Sequence, residues 1–128
     1  MTLAVTPIYA ILLTMLYLVL SWRVIAERRG NRFAYGNNES HRVEAKIRAH
    51  ANWAEYVPIA LLLMLMAELQ GTSALWLHLT GVLLLVGRVM HGFGMSFRPR
   101  QFAFRQYGML LTLIAIPLAL ILNIVALG

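Results

Sequence analysis

The chain has 128 residues, of which 60% are hydrophobic and 12% are charged, with a formal net charge of +6 and no cysteine. A soluble domain is about 45–50% apolar and about 25% charged, so this composition excludes a water-soluble fold. A chain this short cannot bury so much apolar surface within itself, and a lipid bilayer as solvent removes that conflict. The lack of cysteine excludes a disulfide framework, a cysteine nucleophile and a cysteine zinc site. Any thiol chemistry must therefore use a thiol that a ligand supplies.

Four apolar runs follow one another along the chain. The first, Leu3 to Trp22, contains no charged residue and would span roughly 30 Å as a helix. No basic residue precedes it, and Trp22 and Arg23 follow it, so we expect a retained span rather than a cleaved signal peptide. The runs are continuous rather than alternating, which favours helices over barrel strands. We predict a single all-α domain, an integral membrane left-handed four-helix bundle with spans over about residues 3–28, 41–69, 74–97 and 105–127.

The basic residues lie in two of the three connections between these spans. The first connection, Arg23 to His50, and the third, Arg98 to Arg105, hold nearly all the lysines and arginines, whereas Gln70 to Ser73 holds none. By the positive-inside rule, the first and third connections are expected in the cytoplasm and both termini on the other side. Because the arginines lie between apolar runs, the positive charge does not indicate nucleic-acid binding. The compact length and short loops favour a bacterial inner membrane.

Polar residues at membrane depth are the candidate functional residues. Arg48, Asn52 and Glu55 lie at i, i+4 and i+7 on one face of the second helix. Arg88 and His91 lie one turn apart in the third. Each ionisable residue costs at least about 2.5–3.5 kcal/mol on insertion scales, which makes it a functional candidate. One interpretation is structural: Glu55 pairs with Arg88, Arg48 or an arginine of another subunit and holds the helices in register.

The other interpretation of the same residues is a polar cleft that opens to the cytoplasmic side. Its guanidinium groups would bind the carboxylates of an anionic or zwitterionic ligand through bidentate hydrogen bonds. Three further polar residues are interpreted structurally: Ser40 as the N-cap of the second helix, His78 as a packing residue and Asn123 as an interhelical hydrogen bond. The four histidines do not form a convincing metal set, and no metal is expected.

Two segments resemble the family of membrane-associated proteins in eicosanoid and glutathione metabolism, abbreviated MAPEG. The segment R-A-H-A-N-W-A-E-Y-V-P, Arg48 to Pro58, resembles the family's hallmark of an Arg, an Asn, a Glu and a Pro at these spacings. The segment G-R-V-M-H-G-F-G, Gly87 to Gly94, is similar to the third helix of the microsomal prostaglandin E synthase branch. The length and the four-span plan agree along the whole chain.

The resemblance implies a homotrimer of four-helix protomers, surrounded by membrane lipids, with glutathione bound as cofactor between neighbouring subunits. It implies transferase or peroxidase activity towards a lipophilic second substrate. Of the other arginines, Arg88 resembles a buried structural arginine, and Arg105 is the candidate that activates the thiol, with Arg100 as second choice. The residues that the resemblance places at the glutathione site are Arg28, Arg48, Asn52, Glu55, Tyr56 and His91.

The chain also departs from the family pattern. Met95 stands where some active relatives have a tyrosine, and Gln106 and Tyr107 follow Arg105 where the family often has a serine or tyrosine. The longer signature of the leukotriene-synthesising branch is absent, since V-E-A-K occupies Val43 to Lys46. Eicosanoid substrates are therefore not indicated, and a non-catalytic lipid- or glutathione-binding protein of the same fold is the alternative.

Two other classes of membrane protein are alternatives. The first, a small multidrug exporter, is disfavoured because that class needs an acidic residue within its first span, and Leu3 to Trp22 has none. A purely structural membrane protein would use the polar residues only between helices.

The implied mechanism rests on thiol ionisation. A free thiol has a pKa of about 8.5, so only a few per cent is thiolate at pH 7. A guanidinium in a cleft of low dielectric constant favours the charged form. A decrease in the thiol pKa of one to two units would raise the thiolate fraction roughly tenfold or more.

Overall fold

The structure is a computed structural model that describes residues 2–98 and 101–128. Its helices are α1 (Thr6–Gly30), α2 (His41–Leu69), α3 (Ala74–Ser96) and α4 (Phe102–Leu127). All four are long and apolar enough to cross a membrane. The prediction of an all-α, four-helix membrane protein is confirmed. Compared with the predicted spans, α1 ends later and α4 begins earlier, because a helix can continue from the hydrocarbon layer into the polar interface.

The end of the bundle that carries the α1–α2 and α3–α4 connections is called the basic end below. At this end α2 begins with a side-chain cap: the Ser40 hydroxyl accepts a hydrogen bond from the Val43 backbone N–H at 3.3 Å, as predicted. From there α2 continues through Pro58 to Leu69. The result is a long helix that carries the first candidate motif from the interface into the membrane.

The four helices differ in how closely they pack. Helix α3 packs most tightly against α4, and in the described part of the chain α1 makes no contact with α4. Two glycines permit the close α3–α4 contact. A β-carbon at Gly108 would lie 2.6 Å from the Gly87 carbonyl oxygen and 2.8 Å from the His91 Cα. These distances are too short for any side chain, so glycine at this point sets the first turns of α4 directly against His91.

The core is apolar and contains residues of all four helices, including Leu13, Met64, Leu84 and Ala115. Most other large apolar side chains point outwards; Leu18, for example, is 61% exposed. Such a surface suits lipid rather than water. In the core, the Asn123 side-chain amide donates to the Leu63 carbonyl oxygen at 2.8 Å. This is the interhelical hydrogen bond predicted for Asn123.

A carboxylate at the opposite end of the bundle binds the start of α1. The Glu68 side chain, in the last turn of α2, accepts hydrogen bonds from the backbone N–H groups of Ala4, Val5 and Thr6 at 2.6 to 2.7 Å. Helix α1 has no acidic residue in its first turn and no side-chain cap of its own. Glu68 therefore satisfies donors that the helix leaves open and places negative charge at its positive end.

Two polar contacts join helices at the basic end. Glu27 of α1 accepts hydrogen bonds from Lys46 and Arg42 of α2, and the Glu27 and Lys46 side chains are only 11% and 10% exposed. Arg23 donates to the Ser96 hydroxyl at 2.5 Å and to the Ser96 carbonyl at 2.9 Å, which joins α1 to the end of α3. These contacts hold the helix ends around the candidate site.

Candidate functional site

A cavity of about 620 Å³ opens at the basic end between α2, α3 and the start of α4. Its volume lies within the range of roughly 300–1,000 Å³ that small-molecule sites occupy. It brings together four of the sequence-predicted site residues, Arg48, Asn52, His91 and Arg105, from three helices. The complete lining is His41, Arg42, Glu44, Ala45, Arg48, Asn52, His91, Met95 and Arg105.

The charge of this lining favours an anion. Arg42, Arg48 and Arg105 contribute three guanidinium groups to the lining and Glu44 its single carboxylate. Two of these guanidinium groups also have a carboxylate partner outside the lining, Glu27 for Arg42 and Glu55 for Arg48. Glu44 also accepts a hydrogen bond from the side-chain amide of Asn37 at 3.2 Å. Guanidinium groups bind carboxylates with two parallel hydrogen bonds, so the cavity suits a ligand that carries more than one anionic group.

Asn52 is held by the buried Arg88. The Arg88 side chain is 2% exposed and donates from Nε to the Thr112 hydroxyl at 2.9 Å and from Nη1 to the Asn52 Oδ1 at 2.5 Å. Nη2 lies 3.6 Å from the Met109 sulfur, and no carboxylate in the described part of the chain pairs with Arg88. Because Oδ1 of Asn52 faces Arg88, the amide nitrogen of Asn52 is the group that can donate to a ligand.

Glu55 and Tyr56 lie beside the cavity rather than in its lining. The Glu55 carboxylate is 3.6 Å from the Arg48 guanidinium, and its side chain is 53% exposed. Of the three partners considered for Glu55, the structure shows Arg48. The Tyr56 ring centroid lies 5.7 Å from the Arg88 guanidinium carbon, next to the buried network.

Two other predicted residues are not brought to the cavity. Arg28 lines separate recesses at the end of α1, one of them shared with Tyr17 and His50. Within one protomer it is therefore not part of the lining that contains Arg48. Arg100, the second choice for thiol activation, lies outside the described residues.

His91, Met95 and Arg105 form the α3–α4 side of the cavity. His91 is 4% exposed and is held against α4 by the close contact at Gly108. Met95 lines the cavity, and its thioether has no O–H or N–H to donate. Arg105 is exposed in the first turn of α4, which contains no acidic residue. Its charge and the positive end of the α4 dipole both favour an anion at this position.

Arg42 and His41 also line the cavity, although the sequence analysis did not assign them to it. A signal for His41 exists in the sequence, because it precedes Arg48 by two helical turns and so shares its face. Arg42 lacks this spacing and lines the cavity from the first turn of α2. No group of histidines and carboxylates in residues 2–98 and 101–128 is arranged to hold a metal ion.

Comparison with known proteins shows the family of the chain. The family model described as the MAPEG family matches residues 6–125. The chain belongs to the MAPEG family. Two relatives, both named inner membrane protein YecN, come from Escherichia coli strain K12 and from Escherichia coli O6:H1. Each is 38% identical over 120 residues, which cover 94% of this chain and 90% of the relative. The resemblance seen in Arg48 to Pro58 is confirmed at the level of the family.

Proposed function

We propose that this MAPEG protein binds glutathione in the cavity at the basic end and uses its thiolate against lipophilic electrophiles or hydroperoxides. The observation that carries the proposal is the meeting of Arg48, Asn52, His91 and Arg105 in one cavity. These are residues to which the family resemblance assigns the tripeptide. Glutathione has two carboxylates and one ammonium group, so its thiolate form carries a net charge of −2, which matches a lining rich in guanidinium.

Each lining group has a role in this proposal. Arg48 binds a carboxylate of glutathione, and the Asn52 amide nitrogen, oriented by Arg88, donates to a second acceptor. Glu55, half-exposed beside Arg48, or Glu44 accepts from the ammonium group. Arg105 lies next to the sulfur and stabilises the thiolate.

The reaction then needs no further protein nucleophile. The thiolate attacks an electrophilic carbon of a lipophilic substrate that enters from the bilayer, a carbon–sulfur bond forms, and the leaving group departs with its electron pair. The proton of the thiol is released to solvent on binding. The rate increase comes from the larger thiolate fraction, roughly tenfold or more for a decrease of one to two units in the thiol pKa.

A homotrimer in the bacterial inner membrane completes the proposal. Arg28 lies on α1, away from the cavity of its own protomer, so it reaches glutathione only if a neighbouring copy brings its α1 to the open edge at Glu55. The names of the YecN relatives support an inner-membrane location. The basic end is proposed to face the cytoplasm, because the lysines and arginines are concentrated there.

The test is a conjugation assay on protein purified in detergent, with glutathione and an aryl halide as a generic electrophile. Arg105→Leu is expected to lose conjugation while its oligomeric mass is unchanged. Arg98→Leu is the matched control, since Arg98 is exposed at the end of α3 and does not line the cavity. Full activity of Arg105→Leu would refute the assignment of Arg105, and no glutathione binding by the wild type would refute the proposed function.

Met95 favours a second candidate, a glutathione-binding protein without catalysis. A thioether at this position leaves the sulfur of glutathione without the hydroxyl donor that some active relatives have. Equilibrium binding of glutathione together with its ultraviolet difference spectrum separates the two. Binding with the thiolate absorption band supports the enzyme, and binding without that band supports the non-catalytic protein.

A further inference from the structure

A second basic recess lies at the end of α1, separate from the cavity at Arg48. It has a volume of about 510 Å³ and is lined by Ile25, Arg28, Arg29, Arg32, Phe33 and Ala34. Its lining includes no carboxylate, and its three arginines form no ion pair within 4.0 Å among the described residues. Three guanidinium groups beside two large apolar side chains therefore have no anion from the chain itself.

The backbone at the end of α1 builds this recess. The Phe33 N–H donates to the Arg28 carbonyl oxygen at 3.0 Å, which closes the last turn of the helix. Arg32 has a φ of +57°, in the left-handed region where glycine or asparagine is the usual residue. The reversal returns Arg32 to the side of α1 that carries Arg28 and Arg29. An arginine thus occupies a strained position at which glycine would be the less costly residue.

An apolar stripe on α1 leads to the recess. Ile11, Leu18, Trp22 and Ile25 are 62%, 61%, 60% and 46% exposed. Their spacing of seven, four and three residues places them on one face of the helix. Because Ile25 belongs to both the stripe and the recess, the apolar surface is continuous with the arginines.

The position of the recess along the membrane normal is that of lipid headgroups. Helix α1 has 25 residues, roughly 37 Å in length, and so exceeds a hydrocarbon layer of about 30 Å. Trp22 lies where the apolar part of the helix ends, a position typical of tryptophan at the membrane interface. We therefore expect Arg29 and Arg32 at the level of the phosphate groups.

We propose that this recess is a binding site for an anionic phospholipid of the phosphatidylglycerol type. The guanidinium groups of Arg29 and Arg32 bind the phosphodiester, and the acyl chains lie along the stripe from Ile25 to Ile11. Two parallel hydrogen bonds from each guanidinium suit phosphate oxygens, and a basic recess beside a transmembrane helix is the kind of site that binds acidic headgroups. Arg28 also lines the recess but is assigned to the glutathione site of a neighbouring copy, so this inference rests on Arg29 and Arg32, which have no part in the proposed glutathione site.

The experiment measures lipid binding by native mass spectrometry of the detergent-purified protein. The probes are phosphatidylglycerol, phosphatidylcholine with the same acyl chains, and glycerol 1-phosphate as a free headgroup. The variants are Arg29→Gln, Arg32→Gln and Arg32→Gly, with Arg98→Gln as the control that removes one exposed positive charge elsewhere at the basic end. Arg32→Gly is informative because it removes the guanidinium and relieves the backbone strain, so a weaker lipid complex cannot be attributed to a damaged helix end.

We expect the wild type to prefer phosphatidylglycerol over phosphatidylcholine. In each variant at Arg29 or Arg32, the ratio of phosphatidylglycerol to phosphatidylcholine binding should fall about fivefold. This change corresponds to about 1 kcal/mol per arginine near the surface. Arg98→Gln should keep the preference. Equal binding of the two lipids by the wild type, or an equal loss in Arg98→Gln, overturns the proposal.

Two further outcomes also overturn it. Competition by glycerol 1-phosphate at the concentration of the lipid would indicate a site for a soluble phosphate. Dissociation of the oligomer in Arg32→Gln would indicate that this face of α1 contacts another copy of the chain.

Discussion

Replacement of Glu68 by glutamine tests whether one carboxylate holds the start of α1 in place. The two carboxylate oxygens accept three backbone hydrogen bonds, with Oε1 bound to Ala4 and Val5 and Oε2 to Thr6. A glutamine keeps one oxygen acceptor and places an NH₂ group against the third N–H. The variant therefore loses one charge-assisted hydrogen bond and makes two others neutral.

The magnitude follows from these bonds. A hydrogen bond to a charged group contributes about 1.5–3 kcal/mol and a neutral one about 0.5–1.5 kcal/mol. Because the contact is only partly buried, we expect Glu68→Gln to lower the free energy of unfolding by about 2–3 kcal/mol. That change corresponds to a decrease of roughly 6–12 °C in the midpoint of thermal unfolding.

The assay combines thermal unfolding in detergent with hydrogen exchange of the N-terminal peptide. Amide exchange at Ala4 to Thr6 should become faster in Glu68→Gln, because these amides lose their acceptor. Glu39→Gln, at an exposed site in the α1–α2 connection, is the control for loss of one negative charge. An unchanged midpoint together with unchanged exchange would show that the reasoning from these contacts is wrong.

Three further predictions concern the basic end. Gly108→Ala places a methyl group 2.6 Å from a carbonyl oxygen of α3, so the free energy of unfolding should fall by about 1–3 kcal/mol. The variant should also bind glutathione more weakly, because the methyl group displaces His91, and calorimetry would measure this change. Glu27→Gln leaves the mostly buried ammonium of Lys46 without its carboxylate, so we expect the free energy of unfolding measured with denaturant to fall by about 3 kcal/mol. Arg42→Gln, which removes the exposed partner of Glu27, should lower it much less. In Arg105→Leu the pKa of the glutathione thiol should rise towards about 8.5, so the thiolate forms only at higher pH. Any residual conjugation should therefore reach its half-maximal rate at a pH one to two units higher than in the wild type.

The partners of the polar side chains show where sequence reasoning stopped. Arg48, Asn52 and Glu55 share a face by their spacing alone, and the structure keeps them together. The spacing left three arginines open as partners of Glu55, and the structure pairs it with Arg48 while Asn52 takes Arg88. A helical period defines a face within one helix but does not define how that face is rotated towards its neighbours, so these pairings required the tertiary structure.

The caps at the N-termini of α2 and α1 also differ in whether the sequence predicts them. The Ser40 cap is local, since donor and acceptor are three residues apart, and the sequence was sufficient to predict it. The Glu68 cap joins residues more than 60 positions apart, and no local pattern indicates it. Arg42 was likewise missed, because it lines the cavity although its spacing does not place it on the face of α2 that carries Arg48.

The sequence by itself determined the solvent, the number of spans and the family, because each depends on local quantities: the length of uncharged runs and the order of residues in two short motifs. Only the tertiary structure decided which polar groups share the cavity. Those contacts depend on the close approach of α3 to α4 at Gly87 and Gly108, which sets His91 and Arg105 opposite Arg48.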